Sequence, residues 1–313
     1  MYKLRFLLCI AAMLFFSLAL CSITQAAAAR TYVSVTGADS NPCTYASPCR
    51  LFQHAHDVVA DGGEVIALTS GAYGTLSITK NVTISGVGVS AVVSPYSFED
   101  GVAIATPGIT VVLRSIDIRA SGAATGGNGI NVTSVGNLHV ENCIVSGFIG
   151  HGIYVNLAAD GSYIFIKDTI VRNNSTHGIY ITTNSGIVRA SIDNCRSERN
   201  GGKGFWAYNN SRVTINRSVA SGNGQAGFEI TGFGAAAELN CEECVSSNNA
   251  DGFDVGAGAA GGVGTIRVSH STATNNTGFG FSNTGGTFES KGNNTVRGNG
   301  TQSTGAISPL PGL

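Results

Sequence analysis

The chain has 313 residues, 43 of them Gly, with 12% charged side chains and a formal net charge of −1. Such a balance has no basic stripe, and phosphate binding needs clustered Lys and Arg, so nucleic acid is not an expected partner. Long stretches lack helix formers and are rich in Val, Ile, Thr, Ser, Asn and Gly, which favours short strands separated by frequent turns.

Residues 1–28 read as a signal peptide. Lys3 and Arg5 precede an apolar run from Phe6 to Leu20, followed by Ala26 to Ala29, and a basic start, short apolar core and A-x-A exit are the marks of an export signal. Cleavage is expected between Ala26 and Arg30; lipidation at Cys21, after Leu18-Ala19-Leu20, is an alternative processing route. No segment is long enough for a membrane span. Removing residues 1–28 takes away Lys3 and Arg5 and no acid, leaving 16 basic against 19 acidic groups. The expected location is secreted, periplasmic or attached to the cell envelope.

Residues 29–63 form an opening segment. Cys43 and Cys49 flank a loop containing Pro42 and Pro48, and this spacing suits a disulfide in an oxidising compartment. In residues 51–60, Leu51, Phe52, Ala55, Val58 and Val59 share one helical face, with Asp61-Gly62-Gly63 ending it. This short helix is the expected lid over the first open coil of a repeat structure.

From 64 to 300 a repeat dominates. Gly-Ile or Gly-Phe recurs at Gly129, Gly152, Gly178, Gly204, Gly227, Gly252 and Gly280. A second mark, typified by Val140-Glu-Asn-Cys-Ile-Val145, keeps the same period. A unit of roughly twenty-five residues cannot close its own core and must stack on its neighbours. About nine coils at about 4.8 Å each would make a rod of roughly 45 Å. The fold class is therefore all-β: a parallel β-helix solenoid with a short N-terminal capping helix. Residues 301–313, with Pro309 and Pro311, are expected to leave the solenoid as a loose tail.

Three columns follow from the period. Cys143, Thr169, Cys195, Ser218, Cys244 and Ser271 align, as do Val145, Val171, Ser197, Ala220, Ser246 and Ala273, and both are expected to face inward. The column between them, which contains Arg196, is expected outside. Cys143 and Cys195 are then two coils apart, as are Cys195 and Cys244, beyond disulfide reach, and Cys241-x-x-Cys244 lacks the second ligand pair of a zinc site; no metal is expected. Asn174, Asn200, Asn223, Asn249, Asn276 and Asn299 also align. Two readings fit them equally: a ladder of side-chain amides, or turn preference, since Asn tolerates left-handed backbone.

One outward column stands out. Two residues after successive repeat glycines come Tyr154, Tyr180, Trp206, Glu229 and Asp254, and just before the glycines come His151, His177 and Lys203. Stacking would align these as a stripe of aromatic, imidazole, ammonium and carboxylate groups suited to sugars. The plain alternative is cross-strand aromatic packing with solvated turn histidines.

Tyr32-Val33-Ser34-Val35, the Cys-flanked loop, the capping helix, Gly71-Ala-Tyr-Gly74 and Ile78 to Gly86 together resemble the right-handed parallel β-helix, pectate-lyase-like superfamily over about residues 31 to 300. The resemblance implies right-handed winding, three strands per coil and frequent carbohydrate ligands; a fold shared by lyases, hydrolases, epimerases and adhesins does not assign chemistry. Of the polygalacturonase-type signatures only Gly150-His151-Gly152 is present, and the alginate-epimerase D-P-H and a pectate-lyase calcium cluster are missing. The acids Asp117, Asp160, Asp168, Asp193, Glu198 and Asp251 are scattered, without the defined pair that acid–base hydrolysis needs. The expectation is a noncatalytic surface for glycan or another cell-surface ligand, with no cofactor. The alternative is a carbohydrate-active lyase, hydrolase or epimerase, for which alone calcium would enter. Oligomeric state is not legible.

Overall fold

A computed structural model describes residues 27–120, 127–158, 160–258 and 261–310. The export signal and Cys21 therefore lie outside the described residues, apart from the last two positions of the signal. No described helix is long and apolar enough to cross a membrane.

From residue 59 onward the chain winds through three parallel sheets in strict rotation. The first sheet has twelve strands and opens with β1 (Ala28–Val33) and β2 (Val59–Ala67). The second and third have ten each, opening with β3 (Gly71–Ala72) and β4 (Leu76–Ile78). Each strand pairs in register with its equivalent one coil on, as in Ile153↔Ile179 and Tyr154↔Tyr180.

A single left-handed residue makes the bend from first to second sheet: Ser115, Asn142, Asp168, Asn194, Arg217, Glu243 and His270 all have φ between 47° and 56°. The next bend uses Gly147, Asn173, Arg199, Gly222, Asn248, Asn275 and Gly298, again with positive φ. The repeat glycines serve a different purpose. A Cβ on Gly178 would strike Ser197 Oγ and, at 2.6 Å, the carbonyl of Gly204, so glycine lets the wall fold tightly onto its own interior.

The two inward columns are buried as expected, while Ile144, Ile170, Arg196, Val219, Val245 and Thr272 lie further out. In the third sheet Phe205, Phe228 and Phe253 stack inside at 4.9 and 4.8 Å, the kind of aromatic stack that adds to simple area burial. Cys143, Cys195, Cys241 and Cys244 are buried free thiols. Burial pushes Cys143 and Cys195 up to about 12, so they are inert hydrophobes here. Cys43 and Cys49 form the disulfide.

The asparagine column resolves in favour of the ladder. Each Nδ2 donates to the next Oδ1, from Asn174 to Asn200 at 2.9 Å through to Asn276 to Asn299 at 2.9 Å. The left-handed residue is the one just before the ladder position, not the ladder residue itself.

The helix α1 spans Phe52–Val58 rather than 51–60; it buries Phe52, Ala55 and His56 and leaves Val58 exposed, because Val59 already belongs to β2. Phe52 packs on Tyr73 at 4.8 Å, which seats the helix against the first coil. The loose tail also gives way. Thr301–Thr304 and Ile307–Pro309 pair with Phe279–Asn283 and Thr287–Ser290 and extend the solenoid. Pro309 is tolerated because it sits on the last strand of its sheet, where no further strand needs its N–H.

Candidate functional site

The outward face of the third sheet carries the candidate residues. Asn131, Tyr154, Tyr180, Trp206, Glu229, Asp254 and Ser282 are consecutive in-register partners across seven coils. All the expected stripe residues are therefore brought together on one face.

The aromatic rings stack on one another: Tyr154 on Tyr180 at 5.2 Å, and Tyr180 on Trp206 at 4.2 Å and 13°. The far side of Trp206 is capped by Lys203 Nζ, 3.5 Å from the ring centroid. The ring faces are thus mostly occupied, and what the ladder offers outward is ring edges and hydroxyls. Burial raises the Tyr180 phenol, helped by Tyr154 and Tyr208, so it remains a hydrogen-bond donor. Asn156 Nδ2 donates to the Tyr154 hydroxyl at 3.0 Å.

The flanking turn column is a second ladder with a structural duty. Its side chains accept the backbone N–H of the same position one coil on. Asn128 N donates to Asp100 Oδ1 at 2.6 Å, His151 N to Asn128 Oδ1 at 2.9 Å, His177 N to His151 Nδ1 at 3.4 Å and Lys203 N to His177 Nδ1 at 2.9 Å. Thr176 Oγ1 also lies 2.8 Å from His151 Nδ1, within hydrogen-bond distance. A protonated Nδ1 could accept nothing, so the fold holds both rings neutral. Burial lowers His151 to about 4; burial, with His151 and Lys203 nearby, lowers His177 to about 3. These imidazoles are acceptors committed to backbone, which removes their Nδ1 atoms from acid–base work.

Each folded-state pKa lies below the unfolded value near 6.5, so the unfolded chain takes up protons first. The stabilisation is complete above about pH 6.5 and is lost as the pH falls towards 4 and 3. Discounted for solvent screening of the exposed ring edges, the two together should contribute on the order of 2 kcal/mol. Replacing both with Asn, the residue that already serves at 128, should keep the acceptors and flatten the decline in melting temperature between pH 7 and 4. An unchanged pH profile in the double variant would refute the assignment.

Beyond Trp206 the column turns ionic. Lys203 Nζ lies 2.7 Å from Glu229 Oε1, with both side chains largely buried. Thr231 Oγ1 donates to the same Oε1 at 3.0 Å and accepts from Trp206 Nε1 at 3.3 Å. Asp254, on the next rung, has its Oδ1 buried with no hydrogen-bond partner. Burial, with Glu229 and Asp251 nearby, pushes its carboxyl up to about 6 despite a Ser282 hydrogen bond and Lys203. An ammonium already fills the place beside Glu229 that a divalent cation would take, so this pair does not fit calcium. Among the described residues, the one cluster of three metal-type ligands is Cys43, Cys49 and His54, whose sulfurs are bonded to each other.

Sequence reasoning missed Asp100, Asn128, Asn131, Tyr208 and Thr231. The first three continue the two columns upstream, and the last two sit two residues after Trp206 and Glu229. It also missed Tyr96 and Phe98, which are 82% and 71% exposed; they precede Gly101 on the same bend.

Three parallel sheets wound coil on coil define a right-handed parallel β-helix protein. Residues 128–300 match the family described as right handed beta helix region, and the chain belongs to that family. No curated protein matches it. Among solved structures, pectate lyase Pel9A aligns with a TM-score of 0.51 at 15% identity, over 86% of this chain and 79% of its own. A rhamnogalacturonan lyase aligns at 0.38 and 14% identity, over 86% and 75%. The A-module of Azotobacter vinelandii mannuronan C-5 epimerase AlgE6 aligns at 0.33 and 15% identity, over 83% and 94%. At 15% identity the likeness to the pectate lyase concerns fold.

Proposed function

We propose that this is an exported β-helix protein whose third-sheet face binds a glycan chain laid along the solenoid axis, without catalysis. Export is read from the N-terminal pattern and agrees with the Cys43–Cys49 disulfide, since such bonds persist in oxidising compartments. The observation that carries the binding reading is the in-register outward column of Tyr154, Tyr180, Trp206, Glu229 and Asp254. Its rungs repeat at about 4.8 Å, close to the rise per residue of an extended pyranose chain, so successive sugars would meet successive rungs. Because the ring faces are paired, contact is through hydroxyls, ring edges and carboxylates rather than by broad stacking.

Binding should be visible on a glycan array probed with the mature chain. Tyr180→Ala and Trp206→Ala should each weaken it by about tenfold or more, the loss of one good contact in such a site. Unchanged binding by both variants would take the ladder out of consideration.

A second reading, a carbohydrate-active enzyme, has one observation in its favour. Glu229 and Asp254 are carboxylates on adjacent rungs, with Asp254 raised to about 6, and unlike environments on paired acids suit acid–base roles. Turnover on polysaccharides that disappears in Asp254→Asn would favour it over binding alone.

A further inference from the structure

The charge on this face constrains which glycans it can hold. The two columns, from Asp100 and Asn131 to Phe279 and Ser282, contain four carboxylates: Asp100, Glu229, Asp251 and Asp254. Among the described residues of these columns the only cation is Lys203. Lys203 is not free, since its ammonium is held between Glu229 Oε1 at 2.7 Å and the Trp206 ring at 3.5 Å. His151 and His177 accept backbone N–H groups through Nδ1 and carry no charge in that state. The next outward positions, Asn156, Thr182, Tyr208, Thr231 and Gly256, are uncharged.

A polyuronate brings one carboxylate per sugar. Laid along this face it would meet fixed carboxylates on several rungs and no available cation, and like charges set face to face suppress binding. Sugars without acidic groups present hydroxyl or amino donors, which carboxylates and tyrosine hydroxyls accept. From this geometry we infer that the third-sheet face selects non-acidic glycans and rejects polyuronates. The inference rests on the glycan-binding reading above and narrows it to a substrate class. It also separates this chain from what the name of the pectate lyase would suggest for a shared fold.

The test is a binding panel with the mature chain in low salt. It sets galactan, glucomannan and chitosan against polygalacturonate and alginate. At least one of the first three should bind and neither of the last two should. The variant Glu229→Gln/Asp254→Asn removes two carboxylates and releases Lys203, and it should gain polygalacturonate binding by at least about tenfold. Asp254→Asn alone, which leaves the Lys203–Glu229 pair intact, should give a smaller gain in the same direction and guards against misfolding of the double variant. Wild-type binding to polygalacturonate or alginate equal to or tighter than to the non-acidic glycans would overturn the inference while leaving glycan binding standing. Binding to none of the five would sink the glycan reading and this inference with it.

Discussion

Asn223→Ala is expected to cost about 3–5 kcal/mol of stability, because it strands two buried donors at once. Asn223 Oδ1 accepts both the backbone N–H and the Nδ2 of Asn200, each at 3.0 Å. Its own Nδ2 donates to Asn249 Oδ1 and to the Ser197 carbonyl, each at 3.0 Å. Bulk solvent does not reach these partners, since Asn223 is 3% exposed. Asn223→Asp would keep the acceptor but set a second oxygen against Asn249 Oδ1 and the Ser197 carbonyl, so it should be no rescue. Asn174 tops the ladder and accepts only the Phe148 N–H, at 3.1 Å, so Asn174→Ala should cost about half as much. The readout is the urea midpoint, with hydrogen exchange to place the loss, since a solenoid need not unfold in one step. Equal, small losses in the Asn223 and Asn174 variants would show that these residues are chosen for turn preference and not for the ladder.

Much of this architecture was legible because a fixed period converts sequence spacing into contact. Once Gly152, Gly178 and Gly204 were aligned, Tyr154, Tyr180 and Trp206 had to be neighbours, and the pairing bears this out. The inward cysteine column followed from alternation in the same way. Three features were not legible, each for a physical reason. Whether aromatic rings splay towards solvent or stack on one another depends on side-chain torsions, which spacing does not set. The upstream continuation through Asp100 and Asn128 hid behind a longer step and a Gly101-Val102 mark that breaks the pattern. The role of His151 and His177 as backbone acceptors required knowing that an N–H of the following coil points at them, and Asp, Asn and His share that capacity without resembling one another in composition.

The histidine and asparagine ladders explain why so many polar groups line the bend into the third sheet. Coil stacking satisfies the strands, but each bend interrupts the pairing and leaves N–H groups that need an acceptor. Side chains supply it in both columns. What is left after these duties are assigned is the ionic cluster, and that is why functional interest concentrates on Lys203, Glu229 and Asp254 rather than on the imidazoles.

Lys203→Met is the second substitution expected to cost about 3–5 kcal/mol, the usual penalty for breaking a buried ion pair from one side. Met keeps volume over Trp206 but leaves the Glu229 carboxylate, 7% exposed, with Thr231 in place of an ammonium. Other ion pairs set the contrast. Arg217–Asp193 and Arg196–Glu198 are at least as short, at 2.5 Å, yet their arginines are 60% and 52% exposed, and such pairs contribute about 0–1 kcal/mol. Arg217→Ala and Arg196→Ala should therefore be nearly silent where Lys203→Met is not. Adding Glu229→Gln to Lys203→Met removes the stranded charge and should recover most of the loss, giving a coupling energy of about 2 kcal/mol or more in a double-mutant cycle. A Lys203→Met loss below about 1 kcal/mol would place the pair with the surface ones. Lys203 would then be free enough to meet an acidic ligand, and the charge selectivity of the face would lose its basis.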